Sequence, residues 1–362
     1  MNIGKYIVNY ATPVWYTQDK FKNIDFQTHL SYNQGYESIK QGGATVKKTM
    51  KLVTFQTKST GTTPKLGAWI SDDRIVDLTT VAPDMIQFFE QNHIADAQKH
   101  INQTVDSNDT ADSIFPVADV QLLAPFPRPA SLRDFGVFKT HMDAASRITG
   151  KEISSEWFKL PNYYRGSTSP SSIAGHEAVV TWPNYTEKLD FELEWGIYIG
   201  KTGKNISIEE APEYIAGYTI YNDISARDIQ FRHMTLALGP AKGKDFDNSN
   251  IMGPCLVTPD EISDPYDLRM IARINGEVWS DGNTSDMYYS FAEMISFVSQ
   301  SETLHPGEFL GSGTVGNGCG WELDRWIQPG DIVELEIEKI GVLRNRIGEP
   351  EVNSAEWTEK GL

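Results

Sequence analysis

Two glutamates stand two residues apart in Phe191-Glu192-Leu193-Glu194-Trp195-Gly196-Ile197-Tyr198-Ile199, where every odd position is large and apolar. Side chains of a β-strand alternate between faces, so this pattern predicts a strand with Glu192 and Glu194 on one face, about 6.5 to 7 Å apart. Two carboxylates at that separation can grip one hard cation, because oxygen ligands at roughly 2.0 to 2.6 Å suit magnesium or calcium. Glu334-Leu335-Glu336-Ile337-Glu338 has the same alternation and reads as a solvated strand face. Alternation by itself therefore leaves both readings of the pair open. In Gly217 to Gln230 a strand ends at Asn222-Asp223 and turns sharply. Asp223 can project there as a third oxygen ligand, or close the turn with its own side chain.

Asp134 to Arg147 reads as a loop running into a short helix. His141 lies about two helical turns past Asp134, so on a helix the two would face one side. A neutral imidazole beside a bound substrate can take a proton from water near neutral pH. The plain alternative, for one of seven histidines, is a surface position. The run Gly311-Ser312-Gly313-Thr314-Val315-Gly316-Asn317-Gly318-Cys319-Gly320 contains a formal GxGxxG match. A dinucleotide site needs a strand before and a helix after such a run, whereas here more glycines follow and then Trp321-Glu322-Leu323. These glycines read instead as backbone that approaches a ligand closely.

The elements that must hold these residues come from a chain of 362 residues, long enough to bury a large core. Residues 1–49 read as a polar extension without a sustained helical or strand period. Strand patterns begin at Met50 with Lys51 to Phe55 and Leu66 to Ile70, and Asp84 to Gln103 has helical spacing, which predicts a small α+β domain over 50–124. The run Ala124-Pro125-Phe126-Pro127-Arg128-Pro129 marks a boundary, because proline continues neither a helix nor a central strand. Short β-rich runs recur beyond it: Ala178 to Trp182, Phe191 to Ile199, Tyr218 to Tyr221, Met270 to Ile274 and Ile332 to Ile337. They predict a mainly β catalytic domain over 125–352, with 353–362 as a tail.

Charge narrows the partners. The chain has 49 Asp and Glu against 32 Lys and Arg, a formal net charge of -17, which argues against nucleic-acid backbones and anionic membrane surfaces. An acidic protein that binds a carboxylate ligand then needs local cations or a metal. Cys255 and Cys319 show no CxxC and no spacing of a disulfide framework or a thiolate metal site, which fits a reducing cytoplasm. No apolar run approaches the roughly 20 residues that cross a bilayer, and no signal-peptide pattern opens the chain, so a cytoplasmic location is expected.

Together these segments closely resemble the fumarylacetoacetate hydrolase superfamily, bacterial type, from about residue 50 to about residue 350. The resemblance is carried by Phe191-Glu192-Leu193-Glu194, Asn222 to Asp228, Gly243-Lys244-Asp245-Phe246-Asp247, Gly311 to Glu322 and Gly341 to Asn345. It implies an α+β, predominantly β fold: a mixed β-sandwich roll with a small N-terminal α+β domain. It further implies that Glu192, Glu194 and Asp223 hold a divalent cation, Mg2+, Mn2+ or Ca2+, with Asp134 completing the set. His141 matches the histidine that activates water, Glu322 the acid paired with it, and Lys244 the lysine facing the developing oxyanion. Tyr164 and Gln230 match residues that contact substrate oxygens, and Thr314 lies in the loop for a substrate carboxylate. A homodimer acting on a small oxo-acid is implied as well.

The implied reaction is cleavage of a carbon–carbon bond in a diketo acid of the acylpyruvate, fumarylpyruvate or fumarylacetoacetate type, through an enolate that the cation stabilises. Oxaloacetate decarboxylation, enol–keto isomerisation and dehydration of 2-keto-3-deoxy acids are the alternatives on the same scaffold. A noncatalytic dicarboxylate-binding protein is a further one. The presence of both His141 and Glu322 favours hydrolysis, since decarboxylation needs no activated water. Gly136 and Met234 stand where the type enzymes carry aromatic residues, so the pocket is expected to differ in shape.

Overall fold

The computed structural model describes residues 50–59, 61, 63–106 and 113–352; the expected polar extension over 1–49 and the tail over 353–362 lie outside the described residues. The chain starts with β1 (Lys51–Thr57), β2 (Lys65–Ser71) and β3 (Arg74–Asp77), a meander of antiparallel neighbours. The helical spacing after Asp84 resolves into α1 (Met85–Glu90), capped by the Asp84 side chain on the Gln87 amide, and α2 (Ile94–Asp106). Next come β4 (Ile114–Pro116), β5 (Val120–Leu122), β6 (Ser131–Phe135), α3 (Lys139–Thr149), β7 (Tyr163–Arg165), β8 (Ile173–Ala174), β9 (Val179–Trp182) and β10 (Leu189–Asp190). The middle of the chain holds β11 (Leu193–Ile199), β12 (Gly203–Lys204), β13 (Ile215–Asp223), β14 (Ser225–Ala226), α4 (Arg227–Met234) and β15 (Asn250–Val257). It closes with β16 (Arg269–Ile274), β17 (Glu277–Asn283), α5 (Phe291–Val298), β18 (Thr303–Leu304), β19 (Glu308–Gly311), α6 (Gly320–Leu323), β20 (Ile332–Ile337) and β21 (Gly341–Pro350).

The architecture is the mixed, predominantly β arrangement expected. One sheet runs β4-β3-β2-β1-β15-β13-β11-β19-β6-β7, with β5 attached to β1 and β8 to β15. A second runs β17-β16-β20-β21-β9. Strands from both sides of the Pro125 to Pro129 run share the first sheet, because β1 pairs antiparallel with β15.

Alternation along β11 explains how the layers assemble. Leu193, Trp195, Ile197 and Ile199 point into one core cluster with Met270, Val333, Leu335 and Ile337 of the second sheet. Tyr198 points the other way, into a cluster with Met85, Phe88, Ala97 and Ile101 of the two N-terminal helices. Each such large apolar side chain contributes about 1.5 to 3 kcal/mol on burial. Glu194 shares the parity of Tyr198, so the carboxylate face of β11 is sandwiched and dry: Glu194 is wholly buried. On β20 the outcome is the solvated one. Val333, Leu335 and Ile337 are buried while Glu334 and Glu336 stay partly exposed beside Arg344 and Arg273.

One expectation is corrected. Asp134 does not open a loop or share a helix face with His141. It is part of β6, whose parallel pairing with β19 places Asp134 opposite Gly311, and the helix begins only at Lys139. The ladder takes up the backbone donors and acceptors that a helix would have satisfied internally.

Candidate active site

Asp134, Glu194 and Asp223 each bring a carboxylate oxygen within 4.8 Å of the other two. The sheet accounts for this convergence. Strands β6, β19, β11 and β13 are consecutive neighbours, with Asp134 opposite Gly311, Gly311 opposite Gly196, and Glu194 opposite Tyr221. Asp223, two residues past Tyr221, is a diagonal neighbour of Glu194, within reach of a long side chain. A β-carbon at Gly311 would run into the Asp134 carboxylate, so glycine there leaves the room that Asp134 occupies.

Glu192 belongs to the same face but is held differently. Its Oε1 lies 2.7 Å from Arg227 Nη1, and its Oε2 accepts from Lys244 Nζ at 2.7 Å. Lys244 Nζ also donates to Asp223 Oδ2 at 2.5 Å, and the Tyr164 hydroxyl donates to that same oxygen at 2.6 Å. The Thr314 hydroxyl donates to Glu194 Oε1 at 3.2 Å, and Gln230 Oε1 accepts from Arg227 Nη1 at 3.0 Å. Tyr164 and Thr314 thus border the carboxylates directly, and Gln230 reaches them through Arg227. Gly243 lets Lys244 come this close, since a β-carbon there would strike the backbone of Gln230 on α4.

The electrostatics follow from burial and crowding. Burial, and then the negative neighbours, push the Asp134 and Glu194 carboxyls well above the ordinary range. Burial raises Asp223 to about 6 against the opposing charge of Lys244. It acts on Glu192 in the same sense, but Lys244 and Arg227 outweigh it and hold Glu192 low. Burial would lower Lys244, yet Asp223 and Glu192 raise it above its usual value, so it stays protonated.

Beside this cluster His141, in the first turn of α3, faces Glu322 on α6, with Nδ1 2.9 Å from Oε1. The Glu322 side chain is fully buried and that of His141 is 18% exposed. A carboxylate at Nδ1 accepts its proton and leaves Nε2 as the basic nitrogen. The pair is near the cluster: Cys319, which lies with His141 and Glu322, is bridged through its backbone to Glu192.

The donor set fits a hard divalent cation. Glu194 Oε2 and Asp223 Oδ1 are buried and have no hydrogen-bond partner among the described residues. Five buried carboxylates, Asp134, Asp190, Glu192, Glu194 and Asp223, face two buried cations, Lys244 and Arg227. An oxygen-only site with surplus negative charge suits magnesium, manganese or calcium.

Three residues of the site carried no role in the sequence. Asp190 extends the even-numbered face of Glu192 and Glu194 by one more step, which was a usable signal. It accepts from the Gly320 and Trp321 amides at 2.8 and 3.0 Å and binds Arg227. Arg227 stands in the Asn222 to Asp228 stretch without a distinguishing neighbour. Cys319, which showed no thiolate-site spacing, lies with His141 and Glu322, its sulfur and their donor atoms within 4.8 Å of one another.

A mixed β-roll thus brings a buried carboxylate cluster, whose oxygens suit a hard divalent cation, next to a His–Glu pair. The chain belongs to the fumarylacetoacetate hydrolase family: the Fumarylacetoacetate (FAA) hydrolase C-terminal domain matches residues 134–348, a span containing every residue of the cluster and the pair. The chain is 33% identical over 299 residues, 78% of its own length and 96% of the relative's, to oxaloacetate tautomerase YisK of Bacillus subtilis (strain 168). Its fold is similar to fumarylacetoacetate hydrolase from Exiguobacterium antarcticum, with TM-score 0.65, 26% identity, and coverage of 83% of this chain and 99% of that one. It is also similar to a probable 2-hydroxyhepta-2,4-diene-1,7-dioate isomerase from Mycobacterium abscessus, with TM-score 0.64, 27% identity, and coverage of 84% and 100%. The relatives' names thus span hydrolysis, isomerisation and tautomerisation.

Proposed function

We propose that this chain moves a proton at the carbon beside the oxo group of a small 2-oxo diacid, and that its reaction is keto–enol tautomerisation of the oxaloacetate type. The observation that carries this reading is the His141–Glu322 pair, one basic nitrogen oriented by a fully buried carboxylate, next to the acid cluster. The similarity to an oxaloacetate tautomerase supports the choice of substrate class. Asp134, Glu194 and Asp223, with Glu192 beside them, are the residues for a Mg2+ or Mn2+ cofactor. When bound, such a cation draws electron density from a chelated oxo-acid and acidifies its neighbouring C–H. His141 Nε2 takes the proton from carbon and returns it to oxygen, and Glu322 keeps the ring in the required tautomer. Lys244 and Arg227 draw the negatively charged end of the substrate into the acidic protein. Tyr164, Gln230 and Thr314 border that space.

A second reading, hydrolytic cleavage of a diketo acid, is favoured by the partial exposure of His141, which lets water reach it. There His141 takes the proton from water, the hydroxide adds to the carbonyl beside the scissile bond with Lys244 facing the oxyanion, and collapse breaks the carbon–carbon bond to release an enolate that takes the proton back from His141. Assembly as a homodimer belongs to the same proposal; the exposed Leu236 and Leu238 support an interface, and sedimentation tests it.

The deciding assay follows the ultraviolet absorbance of enol-oxaloacetate with magnesium or manganese, beside pyruvate release and acylpyruvate cleavage. Metal-dependent acceleration of enol decay, lost in His141→Gln, supports tautomerisation. Acylpyruvate cleavage without enol turnover moves the chain to hydrolysis, and no turnover of any oxo-acid refutes both.

A further inference from the structure

We propose that His141, Cys319 and Glu322 form a second metal site, for a thiophilic divalent cation such as zinc, and that filling it silences the proton-transfer pair. The silencing rests on the role given to His141 above; the binding does not.

The three donors are a nitrogen, a sulfur and a carboxylate oxygen, all within 4.8 Å of one another. Around a tetrahedral zinc, with bonds of about 2.0 to 2.3 Å, donor atoms lie roughly 3.3 to 3.8 Å apart, so the site closes with small side-chain shifts. His141 and Glu322 are already in contact at 2.9 Å. Local structure presents the other pair. Cys319 is the N-cap of α6 and Glu322 lies three residues on, the spacing that puts two side chains on one side of a helical turn. The Cys319 backbone is held by an antiparallel bridge to Glu192.

An independent observation points to a ligand. The Glu322 side chain is fully buried, yet its Oε2 has no hydrogen-bond partner among the described residues after Oε1 has engaged His141. A buried carboxylate oxygen without a donor favours a cation. Cys319 is a free, wholly buried thiol, and His141, at 18% exposure, is the route by which an ion enters. Burial pushes the Cys319 thiol well above its usual range, so metal binding releases its proton; the resulting thiolate and the Glu322 carboxylate together match the charge of a divalent ion.

Donor chemistry separates this site from the acid cluster. Asp134, Glu194 and Asp223 offer only oxygen, which suits hard cations, whereas thiolate and imidazole select zinc or cobalt over magnesium. Three protein donors leave a fourth coordination position open.

The test titrates magnesium-saturated full-length protein with Co2+, a coloured substitute for zinc. The expected result is a sulfur-to-cobalt charge-transfer band that saturates at one equivalent, survives Cys255→Ser, is lost in Cys319→Ser and is displaced by Zn2+. Zinc should inhibit enol-oxaloacetate turnover, with an inhibition constant at least about tenfold weaker in Cys319→Ser, the low end of what even outer-shell changes cost a metal site. No band in the wild-type protein, or a band that persists in Cys319→Ser, overturns the site. If Cys319→Ser does not fold, loss of the band in Cys255→Ser overturns it instead. A band with turnover unaffected by saturating zinc overturns the silencing. Because the band needs no turnover, it decides the site even where no oxo-acid is turned over.

Discussion

Arg227 and Asp190 form a buried ion pair, in which Nε donates to Oδ2 at 2.8 Å and Nη2 lies 2.8 Å from the same oxygen. The pair fastens two halves of the site together. Arg227 reaches Glu192 on the carboxylate face, while Asp190 holds the Gly320 and Trp321 amides at the start of the helix that carries Glu322. Removing one charge of a buried pair leaves the other uncompensated, at a cost of about 3 to 5 kcal/mol. Asp190→Asn keeps the shape and removes the charge, so its unfolding free energy from urea titration should fall by an amount of that order, seen as a lower midpoint. A midpoint equal to wild type would show that the pair contributes nothing.

Divalent cations should stabilise the fold itself. Ions that bind the native state alone add about 2.7 kcal/mol at a hundredfold excess over Kd. Magnesium or manganese is expected to raise the thermal midpoint, and chelation to lower it again. In Glu194→Gln, which removes one of the clustered carboxylates, the rise should shrink or vanish; an undiminished rise would place the stabilising ion elsewhere.

The His–Glu pair predicts a catalytic loss without a folding loss. His141 is partly exposed and glutamine keeps a donor for Glu322, so His141→Gln should change the unfolding free energy by no more than about 1 kcal/mol, the worth of a typical hydrogen bond. Its turnover should fall by roughly 10²- to 10⁴-fold, the range for a general base. Glu322→Gln should lower kcat with KM little changed. Full activity in either variant would exclude the pair from proton transfer.

Gly313 has a positive φ of +77°, and a β-carbon there would strike the Phe135 carbonyl oxygen. Its amide also donates to Asp134 Oδ1 at 3.1 Å. Gly313→Ala therefore combines left-handed strain with a backbone clash, about 1 to 3 kcal/mol from the conformation alone. It is expected to weaken magnesium affinity as well as stability, read by calorimetric titration of the folded variant; unchanged affinity would mean that the loop does not position Asp134.

His176 gives a pH dependence away from the site. Burial lowers its pKa below the ordinary histidine value, and its Nδ1 accepts the Arg344 amide at 3.2 Å, which requires the neutral ring. The unfolded chain thus binds the proton more readily than the folded one, so its contribution is intact above about pH 6.5 and is lost as pH falls from there through the lower folded value. Between pH 7.5 and 5.5 the wild type should lose more stability than His176→Gln, by denaturant titration. An equal loss in both would remove His176 from the effect.

The strands were legible where alternation and turn residues agree. Ile332 to Ile337 was read with the bounds it has, since a strict apolar–acidic period is followed by the turn residues before Gly341. The carboxylate face of Glu192 and Glu194 was legible for the same reason. What alternation could not say was which acidic face is dry, because Glu194 and Glu336 differ only in what packs over them. Asp134 was misplaced because its strand is short and its partner β19 begins some 170 residues later. The company Cys319 keeps was equally out of sight: Glu322 lies only three residues on, but His141 joins the two only when α3 packs on α6.

Pairing of β1 with β15 sets a schedule for the growing chain. Lys51 pairs early with Trp69 of β2 but finds Val257 only after some 200 further residues have been made, so the other edge of β1 stays open through that interval. Its apolar Leu52, Val53 and Phe55 must remain shielded through that interval. Such long-range closure is slow and leaves strand edges prone to intermolecular pairing. Yield in cells should accordingly track translation speed and holdase supply more closely than it tracks the equilibrium stability of the finished sheet.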